Sequence, residues 1–356
     1  MKEKILMKGN EAIGEGAIKA GCIYFFGYPI TPQNELPHYM AKRLPEVNGV
    51  FLQAESEVAA INMVYGAAAT GKRVMTSSAS PGISLKSEGI SYLAAAELPA
   101  VIVNIMRGGP GLGGIQSSQS DYFQATKGGG HGDYRNIVLA PSTVQEMYDY
   151  TKLAFDLADK YRNPAMILGD GVLGQMMEPV ELDNSENRIV FDKAWAATGK
   201  MGRSKPNVID SFFLEPLALE RHNFHLAEKY SLIRQNEQRW EAILVEDAEL
   251  ILVAYGTSSR VARSVVDRTR KEGFKIGMIR PITLWPFPEL AFERFRNTDT
   301  KFLVVEMSMG QMVEDVKLAL NDGSYVSFYG RTGGVVPSPK EVYEQVLTLL
   351  GKKEVA

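Results

Sequence analysis

The chain has 356 residues, a length that fits two domains or three. Its 39 basic and 42 acidic residues leave a net charge of −3, too little for a general electrostatic footprint on a nucleic-acid backbone, and its 45% apolar content is ordinary for a packed globular protein. No apolar run reaches the length of a membrane span, no secretory leader follows Met1-Lys-Glu-Lys4, and the one cysteine, Cys22, makes neither an internal disulfide nor a four-cysteine cluster or zinc site.

The expectation is a cytoplasmic protein with no nucleic-acid and no membrane partner, whose iron–sulfur chemistry, if any, sits on another chain. In the first half, short apolar runs alternate with helical spacing. Strands are predicted over residues 23–26, 50–53, 72–76, 100–105, 137–139 and 165–168. Thr143, with Glu146 three residues on, reads as a capping box. Val144, Met147, Tyr148, Thr151, Ala154, Phe155 and Ala158 then recur at helical spacing. Such alternation predicts an α/β fold with a parallel sheet covered on both faces. Past Asp183 the composition turns polar, and residues 199–206 read as loop. A helical segment rich in Glu, Arg and Gln runs through 215–247, so residues 184–240 read as a connector with a long helix. A second α/β pattern follows: a strand over 250–255, a turn and helix N-cap at Gly256-Thr-Ser-Ser259, a helix over 261–272, strands over 275–279 and 302–306, and a helix over 313–320.

Three segments stand where a strand gives way to a turn. Gly27-Tyr-Pro-Ile-Thr-Pro32 follows an apolar run, at the kind of strand end where open α/β sheets bind ligands. Thr31 there reads either as the N-cap of a helix opening at Pro32 or as a ligand contact. Glu55 and Glu57 sit at the start of a predicted helix, where acids also complement the helix dipole. Arg107 precedes a glycine-rich loop, Gly108–Gly114, and reads either as a carboxylate clamp or as a plain surface arginine. That loop contains a formal G-x-G-x-x-G at Gly109, Gly111 and Gly114. Pro110, the Gln/Ser-rich residues that follow and the lack of an acid at a second strand end argue against a dinucleotide site.

A second glycine loop carries His131 and Asp133, read as reaching a site or a partner chain. Gln116-Ser-Ser-Gln-Ser-Asp121 reads as ligand-binding or as a polar interface loop. His222 and His225 share a helical face, read as solvated rather than metal-binding, and no metal site is expected. Cys22 reads as buried and inert, and Met307 and Met309 as core or interface filling.

In order along the chain stand Tyr28-Pro-Ile-Thr-Pro32, Ser56-Glu57-x-x-Ala60, Thr76-Ser-Ser-Ala-Ser-Pro-Gly82, Arg107-Gly-Gly-Pro110, Gly130-His-Gly-Asp-Tyr-Arg135, Gly256-Thr and Val305-Glu-Met-Ser-Met-Gly-Gln311. This set resembles the α subunit of 2-oxoacid:ferredoxin oxidoreductases over essentially the whole chain, most of all the 2-oxoisovalerate (3-methyl-2-oxobutanoate) type and next the 2-oxoglutarate type. The resemblance implies a thiamine diphosphate pyrimidine-binding domain over residues 1–183 and a smaller domain similar to the transketolase C-terminal domain over 241–356. It implies that Glu57 hydrogen-bonds N1′ of the cofactor's aminopyrimidine, with Glu55 the competing acid. Tyr28 and Pro29 would line the cofactor, Thr31 and Arg107 would hold the substrate's oxo and carboxylate oxygens, and Gly108, Gly109, His131 and Asp133 are loop candidates.

The cofactor would lose its C2 proton, add to the keto carbon and release CO2. Electrons would pass to iron–sulfur clusters, and coenzyme A would take the acyl group. Chains that bind the diphosphate carry Gly-Asp-Gly followed by Asn-Asn. Here Gly169-Asp-Gly171 lacks the asparagines and reads as a tight turn. The resemblance therefore implies half a site. A β subunit would hold the diphosphate and Mg2+, γ and ferredoxin-like δ subunits would accompany it, and ferredoxin would accept the electrons. A fused γ domain is not expected in a chain of this length. Competing readings are a 2-oxoglutarate enzyme, a non-catalytic assembly subunit with a decayed pocket, and a lone nucleotide-binding oxidoreductase.

Overall fold

The computed structural model describes residues 4–183, 189–321, 323 and 325–352, so the start of the polar connector, 184–188, lies outside the described residues. β1 (Lys4–Lys8) leads into α1 (Gly9–Lys19). Then come β2 (Tyr24–Gly27), α2 (Glu35–Glu46), β3 (Val50–Gln53), α3 (Glu57–Ala69), β4 (Val74–Ser78), α4 (Ser80–Ala95) and β5 (Val101–Met106). A long loop reaches α5 (Tyr122–Lys127), β6 (Ile137–Leu139), α6 (Val144–Tyr161), β7 (Ala165–Asp170), α7 (Gly171–Gln175) and β8 (Met177–Glu181).

Six of these strands form a parallel sheet in the order β6-β7-β5-β4-β2-β3. Every residue of β4, β5 and β7 is buried, which is why these strands read as unbroken apolar or small-residue runs. The predicted strands are all present, with β2 and β5 starting one residue and β4 two residues later than expected. The Lys4–Lys8 and Met177–Glu181 strands, which pair antiparallel, were not predicted. The capping box at Thr143 is only half formed. The Thr143 hydroxyl accepts the Glu146 N–H, but the Glu146 carboxylate accepts the Ser142 N–H and holds Arg280.

The second half holds α8 (Pro216–Asn236), β9 (Trp240–Ile243), β10 (Leu250–Val253), α9 (Gly256–Lys271), β11 (Ile276–Pro281), β12 (Thr283–Trp285), β13 (Lys301–Glu306), α10 (Met312–Leu320), β14 (Val326–Gly330) and α11 (Pro339–Leu349). Its sheet runs β14-β13-β10-β11-β9, parallel except for β9. The long helix expected through 247 stops at Asn236, and residues 240–243 form a strand instead. Gly256–Ser259 is the first turn of α9 itself, not a turn before it, and Tyr255 stands at its N-cap.

β12 leaves this half and adds an antiparallel seventh strand to the first sheet beside β6. The alternation along β10 explains why both faces of the second sheet are covered. Ile251 and Val253 join the large core shared with the first sheet, while Leu250 and Leu252 pack with Val265 of α9 and Val346 of α11.

Candidate functional site at the carboxyl edge of the parallel sheet

The parallel strands β2, β3, β4, β5 and β7 all end on one edge, and the flagged residues gather there. Ser56 caps α3 by accepting the Ala59 N–H at 3.1 Å, which fixes Glu57 as the first helical residue. Glu57 is buried, at 7% exposure, whereas Glu55 faces solvent. Burial thus separates two acids that the dipole argument could not. No described residue donates a hydrogen bond to the Glu57 carboxylate. Gly82, in the first turn of α4, packs directly on it: a Cβ there would lie 2.8 Å from Glu57 Oε1 and would overlap Ser78 Oγ. That Ser78 hydroxyl is itself buried and unpartnered.

Thr31 is not a helix cap. α2 starts at Glu35 with Asn34 at the cap position, and Thr31 Oγ1 accepts only from Asn34 Nδ2, at 3.4 Å. The Thr31 carbonyl instead accepts from Arg107 Nη1 at 3.1 Å, which ties the β2 and β5 strand ends together. Arg107 is not a surface arginine. It is 8% exposed, its Nη2 donates to the Leu112 carbonyl at 3.1 Å, and its Nε is buried without a partner. Ser80 Oγ accepts the Arg107 N–H at 3.0 Å and donates to Asp121 at 2.6 Å, linking Arg107 to the start of α4. Tyr28 and Pro29 lie exposed at the rim of this edge. The Gly108–Gly114 segment closes on itself through Gly114 N to Gly108 O at 2.9 Å, and Gly108 N donates to Gln116 O at 2.8 Å. No helix follows it until Tyr122, so the dinucleotide reading fails on geometry.

His131 and Asp133 are not brought to Glu57. Their loop sits on the later turns of α4, with Gly130 packed on Ser87 and His131 on Ser91 and Tyr92. His222 and His225 do not face solvent alone. His222 Nε2 bonds the Ala95 carbonyl at 2.7 Å and His225 Nε2 bonds Glu97 at 3.1 Å, docking α8 on the end of α4. No group of three or more metal-ligating side chains occurs among the described residues. Met307 is buried, but Met309 is 80% exposed and fills no core. Cys22 is buried and free, and burial pushes its thiol up to about 12.

The Gln116–Asp121 stretch is an internal junction. Gln119 Nε2 donates to the Tyr255 carbonyl at 2.8 Å, and its Oε1 accepts from Met307 N at 2.9 Å and Ser258 Oγ at 2.8 Å. Gly169-Asp-Gly171 is likewise no simple turn, because β7 runs into α7 there. The buried Asp170 carboxylate accepts from Thr257 N, Thr257 Oγ1, Ser117 Oγ and Leu173 N. Glu306 gathers the N–H groups of Gln311, Met312 and Val313 at the start of α10. Burial raises the carboxyl groups of Asp121, Asp170 and Glu306 above their ordinary values. Sequence reasoning gave no role to Ser78 or Gly82, and it read Gln119 and Asp170 only as parts of a polar loop and a tight turn. Ser78 and Gly82 lie within a motif already noted, but nothing in their residue types marks contact with Glu57.

Residues 15–240 match the family described as pyruvate flavodoxin/ferredoxin oxidoreductase, thiamine diphosphate-binding, and residues 248–342 match the pyruvate:ferredoxin oxidoreductase core domain II. Ketoisovalerate oxidoreductase subunit VorB of Methanothermobacter thermautotrophicus is 53% identical over 346 residues, covering 97% of this chain and 98% of that one. The chain belongs to the 2-oxoacid:ferredoxin oxidoreductases. More distant within this enzyme family is the 2-oxoglutarate synthase subunit KorA of Methanocaldococcus jannaschii, 36% identical over 368 residues, 96% of this chain and 98% of that one. Among solved structures, the 2-oxoglutarate:ferredoxin oxidoreductase from Magnetococcus marinus aligns with a TM-score of 0.85 at 29% identity, covering 98% of this chain and 66% of that chain. A split-gene transketolase aligns at a TM-score of 0.60 and 13% identity, a likeness of fold alone. The expected thiamine diphosphate-binding α/β fold of the oxidoreductase family is therefore the one observed. No helix among the described residues is long and apolar enough to cross a membrane.

Proposed function

We propose that this chain is the α subunit of a cytoplasmic, thiamine diphosphate-dependent 2-oxoisovalerate:ferredoxin oxidoreductase that forms an acyl-CoA and CO2. The observation that carries the reading is Glu57, 7% exposed and with no hydrogen-bond donor among the described residues, beside the unpartnered Ser78 hydroxyl and the bare Cα of Gly82. A mostly buried carboxylate with no hydrogen-bond donor is costly, and it is retained where an outside donor completes it. A decayed assembly subunit would have no reason to keep one. The aminopyrimidine fits this cradle as the missing donor, with Tyr28 and Pro29 at its rim. When bound, thiamine diphosphate supplies the nucleophilic carbon that attacks the oxoacid. Glu57 holds the proton at N1′ and so tunes the basicity of the ring's amino group. Arg107 orients the substrate carboxylate through its free Nε edge, and Thr31 lies beside it for the oxo group.

The other half of the cofactor site belongs to a β subunit that holds the diphosphate and Mg2+. Two observations support this. Asp170 is buried and accepts four hydrogen bonds from within the chain, three at Oδ1 and one at Oδ2, so its carboxylate is engaged in joining β7 to α9. Val50 and Leu52 of β3, Val58 of α3, and Leu85 and Tyr92 of α4 are exposed apolar residues on elements that flank the site. In this reading residues 1–183 bind the pyrimidine, 184–240 connect, and 241–356 form the second domain. Iron–sulfur clusters lie on γ and δ-type subunits. The branched-chain substrate rests on the greater identity to VorB than to KorA. Glu57→Gln in the assembled complex should lower turnover by about 10²–10⁴-fold with subunit stoichiometry and cluster content unchanged. Near-normal turnover would sink the assignment.

A further inference from the structure

Lys86 is a charged side chain near Glu57 that the mechanism above leaves unused. It projects from α4, one turn after Gly82, and is completely buried. Its Nζ donates to Thr76 Oγ1 at 2.7 Å and to the Ser77 carbonyl at 2.9 Å, both on β4. An ammonium has three donors, so two are spent on neutral oxygens. No carboxylate among the described residues lies within ion-pair distance of it. A buried lysine without a paired acid is rare and costly, and aliphatic residues fill such positions more cheaply.

The surroundings define what this charge acts on. From β4 only the uncharged Thr76, Ser77 and Ser78 face it. From α3 comes Glu57, which packs on Gly82 one turn before Lys86 in α4 and is the charged group nearest to it in this set. From the loop before α5, Asp121 is held by Ser80 and Asn104, and the glycine loop at 128–132 rests on Ser87. Glu88 points outward, bonded to Tyr92 on the exposed face. We infer that Lys86 is a positioning residue: its buried ammonium, one turn from the Gly82 on which Glu57 packs, supports proton sharing between Glu57 and the cofactor's N1′. The inference rests on the reading of Glu57 given above.

The proton balance is simple. Glu57 gives its proton to N1′, leaving a carboxylate and a protonated ring nitrogen. A charged Lys86 beside the carboxylate favours that arrangement, and a neutral Lys86 withdraws the support. Burial brings the ammonium down to about 7, so the change falls within the working pH range.

The test uses the assembled complex loaded with thiamine diphosphate. Deuterium exchange at C2 of the bound cofactor is followed against pH, beside the NMR titration of lysines ¹³C-labelled in this chain only. Lys86→Met keeps the volume and removes the charge. It should slow exchange about tenfold at about pH 6 and leave it unchanged at about pH 9, with cofactor affinity retained. Thr76→Val removes one acceptor from the ammonium and should move the inflection to lower pH. A merely structural lysine would not produce that shift. Lys86 titrating near its ordinary value, with an unchanged exchange profile in Lys86→Met, overturns the inference and leaves Glu57 in place. Normal exchange in Glu57→Gln overturns the reading beneath it.

Discussion

At the level of single residues, the site turns on which polar atoms are buried and which are satisfied. Arg107 spends its two terminal nitrogens on the Thr31 and Leu112 carbonyls and keeps Nε free. Arg107→Ala should therefore raise the KM for the oxoacid by about 10–100-fold, the worth of a lost charge-assisted hydrogen bond. Steady-state kinetics of the complex check this, and an unchanged KM would remove Arg107 from substrate binding. Lys86 leaves a trace in stability as well. Burial lowers it from 10.5 to about 7 in the folded chain. Between those values the unfolded chain carries the extra proton, so this group makes stability rise with pH across that window. Lys86→Met should flatten the rise in urea unfolding midpoints measured from about pH 7 to pH 10. The strand-end positions of Thr31, Glu57 and Arg107 were legible in sequence. The choice of Glu57 over Glu55 rested on the Ser56-Glu57-x-x-Ala60 resemblance, because both acids lie where a helix dipole welcomes them and only packing buries one.

At the level of elements, legibility followed burial. β4, β5 and β7 are covered on both faces and show as continuous runs. β1 and β9 are short, mostly exposed edge strands, and their mixed composition carries no period-two signal. The helix forecast through 247 overshot for the same reason: Trp240–Ile243 is exposed on three of four residues, so charge and polarity continued past the true end at Asn236. Close packing of α1 on α6 was equally silent. A Cβ at Gly16 would stand 2.5 Å from the Tyr148 carbonyl and 3.2 Å from Thr151 Cβ. Gly16→Val should accordingly destabilise the chain by about 1–3 kcal/mol through overpacking, read as a lowered unfolding midpoint. An unchanged midpoint would mean that the two helices do not approach so closely.

At the level of the whole molecule, the two sheets are locked through polar groups that sequence motifs flagged without explaining. Gln119, Asp170 and Gln311 bridge the strand ends of the first sheet to Tyr255, Thr257 and the Glu306 turn. Asp121, Asp170 and Glu306, raised by burial, contribute stability that is full at low pH and is lost as pH rises through their folded values. This junction fastens the loop after β5 and the end of β7 to the second half, next to the edge that carries Glu57 and Arg107. Such long-range pairing was invisible in sequence, since its partners lie 87 to 191 residues apart. The measurement that bears most directly on the proposed activity uses the complex isolated anaerobically through this chain. Coenzyme A-dependent reduction of a viologen dye is assayed in parallel with 2-oxoisovalerate, 2-oxoglutarate, pyruvate and indolepyruvate. The account predicts the highest kcat/KM with 2-oxoisovalerate, by about tenfold or more. Preference for another oxoacid would contradict the substrate, and no activity in a complex holding thiamine diphosphate and intact clusters would contradict the function.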